Sequence, residues 1–404
     1  MAKIIVIGGG ASGMMSAITA GKNNNEVILV ERNGELGRKL RATGGGRCNF
    51  TNYRNIEDFF DKIVNNKKFL FSSLYTFTNT NLIDLFVENG LDYHVEEEND
   101  YKVYTGSDRS EDLIETLYKL MVKSKVHIML GKKVVDLIIE ESKVKGVILD
   151  SGEKLLCDKV IVSTGGKSFK ATGSDGSMYG ILSKYGHTIV DQKPALVPLT
   201  IDETWIKQMQ GISMKDVAIS WKIKKKKFEK RGDMLFTHFG ISGPAVLITS
   251  SYINKLLLDG NVELSLDYLP DVDRDVISSV IRENPNKNIQ NNLKEILPQN
   301  FVRGILEKLN LAEAKANELK KAQEIQIVDE IKNMKLTCNG TTGLNSGMVT
   351  SGGVSTKEID SSTMMSKKID GLYLTGEVID VDAETGGYNL QIAFSTGFLA
   401  GSNV

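Results

Sequence analysis

The chain has 404 residues, 41% hydrophobic and 25% charged, with a formal net charge of −1. These values suit a globular protein of about two or three domains and provide no global field that would draw nucleic acid or an anionic membrane. No run of about 18 apolar residues occurs, and the apolar N-terminus meets Gly8-Gly9-Gly10 too early for a signal peptide.

In chain order, Lys3–Ile7 reads as a short buried strand, 12–22 as a helix and 26–30 as a second strand. This is a βαβ unit, whose strands should be parallel. Residues 35–52 are glycine-rich and basic, and 55–125 carry helical patterns, clearest at 81–89 and 110–123. Strands are expected at 126–130, 133–139 and 145–149, the last two forming a hairpin near Glu141-Ser142, and at 159–162. Beyond residue 190, alternating segments at 218–224 and 227–237 suggest antiparallel strands, and 273–335 turn helical and polar. A short strand at 372–375 and an apolar helix at 388–400 close the chain. The reading is an α/β domain interrupted by an insertion and completed by the C-terminal segment. Cys48, Cys157 and Cys338 are far apart and lack a CxxC pattern, which fits a reducing, cytoplasmic setting. With the four histidines they show no metal-ligand spacing, so no metal is expected.

Gly8-Gly9-Gly10-Ala11-Ser12-Gly13 has the G-x-G-x-x-G pattern, and Glu31 ends the second strand at close to the expected spacing. Gly8 permits the tight turn, Gly10 a close approach of pyrophosphate, and Gly13 close helix–strand packing. The N–H groups opening the helix, at Ala11 and Ser12, suit phosphate. Glu31 suits a ribose diol and repels a 2′-phosphate. Two further segments favour FAD over NAD at this site. One is the Gly/Arg-rich run from Gly37 to Asn49, with Arg38, Lys39, Arg41 and Arg47 beside Gly44-Gly45-Gly46. The other is a second glycine-rich strand-to-helix junction, with Thr375-Gly376-Glu377 and then Gly386-Gly387-Tyr388-Asn389-Leu390-Gln391. A helix N-terminus there would stabilise negative charge on a reduced flavin ring.

The run Gly37-Arg-Lys-Leu-Arg-Ala-Thr-Gly-Gly-Gly-Arg-Cys-Asn-Phe-Thr-Asn52 resembles a hallmark of a bacterial FAD-dependent oxidoreductase family that includes aminoacetone oxidases and reductases of unsaturated 3-oxo bile acids. So do Ser163-Thr-Gly-Gly166, Thr172–Gly176, Pro194–Leu199, Met234–Pro244, Val349–Val354 and Gly371–Gln391. The resemblance implies an α/β, Rossmann-like FAD-binding domain in two segments (1–191 and 350–404). It also implies a small inserted β-barrel (192–270 and 335–349) and a helical subdomain (271–334). It places Ser12, Gly13, Glu31, Arg32, Lys39, Thr43, Gly45, Arg47, Asn49, the backbone at Val135, Glu377, Asn389 and Leu390 around FAD. Gly8, Gly10, Ala11, Arg38, Gly44, Thr164, Gly165, Gly376 and Gly387 complete the expected cofactor set. The sequence departs from the family at Lys167–Ala171, where an aromatic-Pro pair is usual.

His238, Arg47 and Tyr388 are candidate acids or anion binders near the ring. Cys48 could face the flavin, but without a second cysteine nearby a disulfide relay is not expected. The expected activity is hydride transfer between flavin N5 and a small organic substrate, either reduction of an activated enone or oxidation of an amine. With a single dinucleotide fingerprint, NADH or NADPH would visit the flavin transiently. A flavin-dependent RNA-modifying protein and a non-catalytic flavin sensor are the alternatives. The lysine run at 222–227 is the one feature favouring RNA, and no nucleic-acid or membrane partner is expected. The sequence does not give the oligomeric state.

Overall fold

The computed structural model describes residues 1–404 and divides into two compact units. The first comprises Met1–Pro194 and Gly347–Val404, the second Ala195–Ser346.

The first unit is built on a five-stranded parallel sheet. Its order is Leu372–Leu374, Lys159–Val162, β1 (Lys3–Ile7), β2 (Glu26–Glu31) and His127–Leu130. Ile4, Ile5, Val6, Leu29, Val160 and Ile161 are all fully buried, as expected of strands covered on both faces. Helix α1 (Ala11–Lys22) follows β1, and its residues 11–20 are all buried. It is covered by the last helix, Tyr388–Asn403. Glycine makes this crossing close: a Cβ at Gly397 would lie 2.4 Å from the Ser12 carbonyl oxygen, and one at Gly401 2.6 Å from that of Ser16. The matched order of these contacts makes the two helices parallel.

Asn79–Val87 and Ser110–Lys123 are helical, the former closed by a capping box at Thr78 and Asn81. The 55–125 region is not all helical, however. Tyr93–Glu96 and Lys102–Thr105 pair antiparallel, and Thr51–Asn52 adds a third strand. The intervening turn places Asp100 and Tyr101 at φ 59° and 58°, a left-handed pair with no glycine to announce it.

In the second unit six strands close a barrel. Its order is Leu199–Ile201, Gly240–Ser242, Lys226–Phe236, Ser213–Ile223, Val262–Asp267 and Met334–Thr341. Helices Arg274–Arg282, Ile289–Leu293, Gln299–Lys308 and Lys321–Asn333 pack into the same core as the barrel. Tyr268 and Phe301 meet edge to face with ring centres 4.4 Å apart, and Phe236 lies 6.1 Å from Phe301.

Candidate dinucleotide site

The turn after β1 is set by steric limits. Gly8 sits at φ 106°, and a Cβ there would lie 2.6 Å from the Ser163 carbonyl oxygen. A Cβ at Gly13 would lie 1.9 Å from the Gly8 carbonyl oxygen, so α1 can start this close to β1 only with glycine. Around Gly10 the opposite holds: a Cβ would meet no atom within 4 Å. The first N–H of α1 to reach a helical acceptor is that of Met14, on the Gly10 carbonyl at 2.9 Å. The N–H groups of Ala11, Ser12 and Gly13 carry the positive end of the helix dipole. The space at Gly10 and these donors together fit a pyrophosphate.

Glu31 is 7% exposed. Its Oε2 accepts from the Gly9 N–H at 2.6 Å, and its Oε1 from the N–H and side-chain amide of Asn33 at 2.7 Å each. The carboxylate therefore braces the glycine turn from beneath and has acceptor capacity left for a diol. Next to it, Arg32 pairs with Asp175 at 2.5 Å. Burial pushes the Asp175 carboxyl up, but the hydrogen bonds from Arg32 and Ser177 outweigh it and hold it at about 2. Val135 lies in the strand Val134–Glu140, whose approach is tied to the end of β2 by Lys132 N–H on the Glu31 carbonyl at 3.0 Å. Arg38 is half exposed and touches Asn33 at 3.4 Å and Glu35 at 3.9 Å.

The second junction approaches the first. Thr375 Oγ1 lies 2.7 Å from Ser163 Oγ, and a Cβ at Gly376 would lie 2.6 Å from Ser12 Oγ. Thr164 and Gly165, the latter at φ 72°, form the half-buried bend between these groups. Lys39 Nζ donates to Glu377 Oε2 at 2.6 Å and to Ser168 Oγ at 3.0 Å. The other oxygen of Glu377 accepts from Ser168 Oγ at 3.0 Å and from the Thr350 N–H at 2.7 Å. Three distant pieces of chain are thus held by one carboxylate. Ser168 and Thr350 are both fully buried, and sequence reasoning missed their part. Thr350 was noted only within a family-like segment and Ser168 only within the stretch that departs from the family, because a lone Ser or Thr carries no pattern of its own.

The last helix begins beyond α1. Gly397 lies level with Ser12, and Tyr388 is nine residues earlier, roughly 13 Å along a helix axis. At its head Gly387 has φ 90°, and a Cβ there would lie 2.3 Å from the Thr51 carbonyl oxygen. The Asn389 side chain holds the preceding loop, accepting from Ala383 N–H at 2.9 Å and donating to the Ala383 and Glu384 carbonyls at 2.8 and 3.1 Å. Leu390 is half-buried beside it. Thr51 Oγ1 donates to the buried Gln391 at 2.7 Å, and the Asn49 amide donates to the Thr51 and Val103 carbonyls at 2.8 and 3.1 Å. Between these and Lys39, Gly44, Gly45 and Gly46 all take positive φ, and Thr43 Oγ1 donates to the Lys39 carbonyl at 3.1 Å. A Cβ on Gly45 or Gly46 would meet no atom within 4 Å. Two parallel helix N-termini, staggered along one direction with open backbone between them, fit an extended dinucleotide carrying a ring at one end.

The expected acids fare differently. Tyr388 is 1% exposed and packs edge-on to Phe59, and burial drives its phenol well above the ordinary range. Its ring lies in the core, and its hydroxyl points toward Asp100 Oδ2 at 3.5 Å. Arg47 stacks over Tyr104 at 4.1 Å and donates to Glu96 and Asp108 at 2.6 and 2.7 Å. Those hydrogen bonds raise its guanidinium still further, so it can bind an anion or a carbonyl but cannot give up a proton. His238 belongs to the other unit, exposed on the loop before Gly240–Ser242 with its ring edge-on to Phe239. The Cys48 thiol is fully buried and pushed up to about 12 by that burial, which removes it from redox chemistry as a thiolate.

The fold and the paired junctions define a Rossmann-type dinucleotide-binding protein with an inserted six-stranded barrel. The description of the HI0933-like protein Rossmann domain matches residues 2–403, and the chain belongs to that family. It is 33% identical over 410 residues to the 3-dehydro-bile acid delta(4,6)-reductase of Clostridium scindens, covering 99% of this chain and 98% of the relative. It is 31% identical over 399 residues to the ribosomal RNA dihydrouridine synthase of Escherichia coli, covering 98% of this chain and 96% of the relative. The solved 3-ketosteroid-delta4-(5alpha)-dehydrogenase of Rhodococcus jostii RHA1 shares the fold, with a TM-score of 0.53 at 14% identity over all of this chain and 96% of the other. No helix is long and apolar enough to cross a membrane.

Proposed function

We propose that this chain is an FAD-dependent oxidoreductase that reduces a carbon–carbon double bond conjugated to a carbonyl. The observation that carries the reading is the stagger of the two helix N-termini, with Gly10 open at the first and the head of the last helix roughly 13 Å beyond. Bound FAD would supply a hydride from N5. The residues of this chain bind and orient. The N–H groups of Ala11, Ser12 and Gly13 hold the pyrophosphate, and Glu31 takes the ribose hydroxyls. Lys39 and Glu377 fix the meeting of the two junctions. The dipole of the last helix favours negative charge at the pyrimidine edge of the ring. The substrate's β-carbon accepts the hydride and its α-carbon a proton, with NADH or NADPH as the external source of electrons.

The reductive direction is preferred to amine oxidation because it unites the two curated relatives. A delta(4,6)-reductase and a dihydrouridine synthase are both named for saturating such a bond, since C5=C6 of uridine is conjugated to the C4 carbonyl. Between a free enone and a uracil in RNA, one surface feature favours the RNA: residues 222–230 of the barrel carry six lysines against one carboxylate, Glu229. Anaerobic mixing tests both parts. The FAD-loaded protein should be bleached by NADH or NADPH. It should then recolour with ribosomal RNA lacking dihydrouridine, leaving dihydrouridine in the RNA. Failure to bind FAD would sink the whole reading; recolouring by a 3-oxo-diene steroid but not by RNA would sink the RNA substrate alone.

A further inference from the structure

The barrel strands Ser213–Ile223 and Lys226–Phe236 are eleven residues each, longer than the barrel needs. The first pairs with Val262–Asp267 only at Ala218–Ser220, and the second with Gly240–Ser242 only at Leu235 and Phe236. From Trp221 to Phe228 the two strands pair only with each other, so they form a two-stranded arm. Lys222, Lys224, Lys225, Lys226 and Lys227 are all exposed on it. Lys222 stands directly opposite Lys227 across the ladder. Like charges in that position oppose pairing. Lys227 reaches Glu229 at 3.0 Å, whereas Lys222, Lys224, Lys225 and Lys226 have no carboxylate within ion-pair distance. The arm therefore concentrates uncompensated positive charge on a chain whose net charge is −1.

The arm is also stiffened from one side. Trp221 is buried, and the ring of Phe228, 37% exposed, stacks on it at 6.0 Å and 19°. Lys230 Nζ lies 4.9 Å above the ring of Tyr252 in the helix Pro244–Ile253. A braced, positively charged ribbon fits a polyanion with repeating charges. It fits a lipid surface poorly, because Phe228 is held against Trp221 and the turn itself is lysine, leaving nothing apolar to insert. We propose that the arm is an RNA-docking element, with Lys222, Lys224, Lys225 and Lys226 neutralising phosphates of the RNA that presents the base to be reduced. The proposal rests on the reading above that the substrate is RNA.

The test uses the full-length FAD-loaded protein and an unmodified ribosomal RNA transcript, with affinity measured across a salt series. The quadruple variant K222Q/K224Q/K225Q/K226Q should bind FAD and be bleached by NADPH as the parent is. Its RNA affinity should fall by at least about tenfold near 0.1 M salt, and the slope of log affinity against log salt should become shallower by about 3. The matching Lys→Arg quadruple variant should restore both. If the parent binds RNA and the Gln variant matches it in affinity and slope, the arm is not the docking element and the RNA reading stands. If the parent binds no RNA at low salt, both fall together. A Gln variant that loses binding to phosphatidylserine vesicles while keeping its RNA affinity overturns the proposal in favour of a lipid partner.

Discussion

The two glycine-rich junctions stand side by side yet differ in how much of their shape side chains supply. At Gly8–Gly13 the shape is made by backbone: two glycines sit where any Cβ would collide, a third faces open space, and one buried carboxylate braces the turn. At Thr375–Gln391 glycine again fixes the backbone, at Gly376 and Gly387, and side chains supply the rest of the shape. Glu377 gathers Lys39, Ser168 and the Thr350 N–H, while Asn389 closes the loop before the helix. The first design tolerates almost no substitution. The second spreads its tolerance over several weaker bonds.

This contrast can be broken most severely at Gly13. Gly13→Val should abolish FAD binding and lower the Tm sharply, because the Gly8 carbonyl oxygen lies 1.9 Å from the added Cβ. Gly10→Ala sharpens the point: the FAD-free Tm should stay unchanged while FAD affinity falls at least about tenfold, as expected where only the ligand approaches the backbone closely. Unchanged affinity in that variant would remove the phosphates from the first junction. Next in size is Gly397→Ala, which drives a methyl group against the Ser12 carbonyl. It should cost about 1–3 kcal/mol in denaturant unfolding by separating the last helix from α1. At the second junction Ser168→Ala and Thr350→Val should each weaken FAD binding only a few-fold, with their combination falling short of the sum, because the two hydroxyls bond each other and only that of Ser168 reaches Glu377.

The smallest effect is expected away from both junctions. His187 is buried, with Nε2 3.0 Å from Ser366 Oγ and Nδ1 3.4 Å from Glu358, which also pairs with Lys368. Burial lowers its pKa despite Glu358, so the unfolded chain binds the proton more readily. Stability should therefore hold near neutrality and fall as the pH drops through about 6.5, the ordinary value for histidine. A Tm series should show this decline, and His187→Gln should flatten it.

The difference in construction also explains what could be read in advance. Backbone-made features leave a sequence mark, because only glycine fits: the first βαβ unit, its fingerprint and the spacing to Glu31 were all legible. The last helix was legible too, since Tyr388–Asn403 is apolar after a double glycine. Side-chain-made features leave little mark. Ser168, Thr350 and Gln391 matter mainly through partners far away in the chain, such as Glu377 for Ser168 and Thr51 for Gln391. The hairpin at Tyr93–Thr105 turns on Asp100 and Tyr101 instead of glycine, which hid it. Tyr388, next to Gly387, opens the last helix with its ring buried against Phe59, a burial that its neighbouring glycines do not announce.

The shared edge of α1 and the last helix has a consequence for how the polypeptide emerges from the ribosome. The outer strand Leu372–Leu374 and the helix that shields Ser12 and Ser16 are made only after the whole barrel unit has been synthesised. Until then the nascent nucleotide-binding sheet has a bare rim and an uncovered helix, so the final thirty-odd residues act as a closing latch. A chain that stalls before them would present chaperones with an apolar surface that the finished molecule never shows.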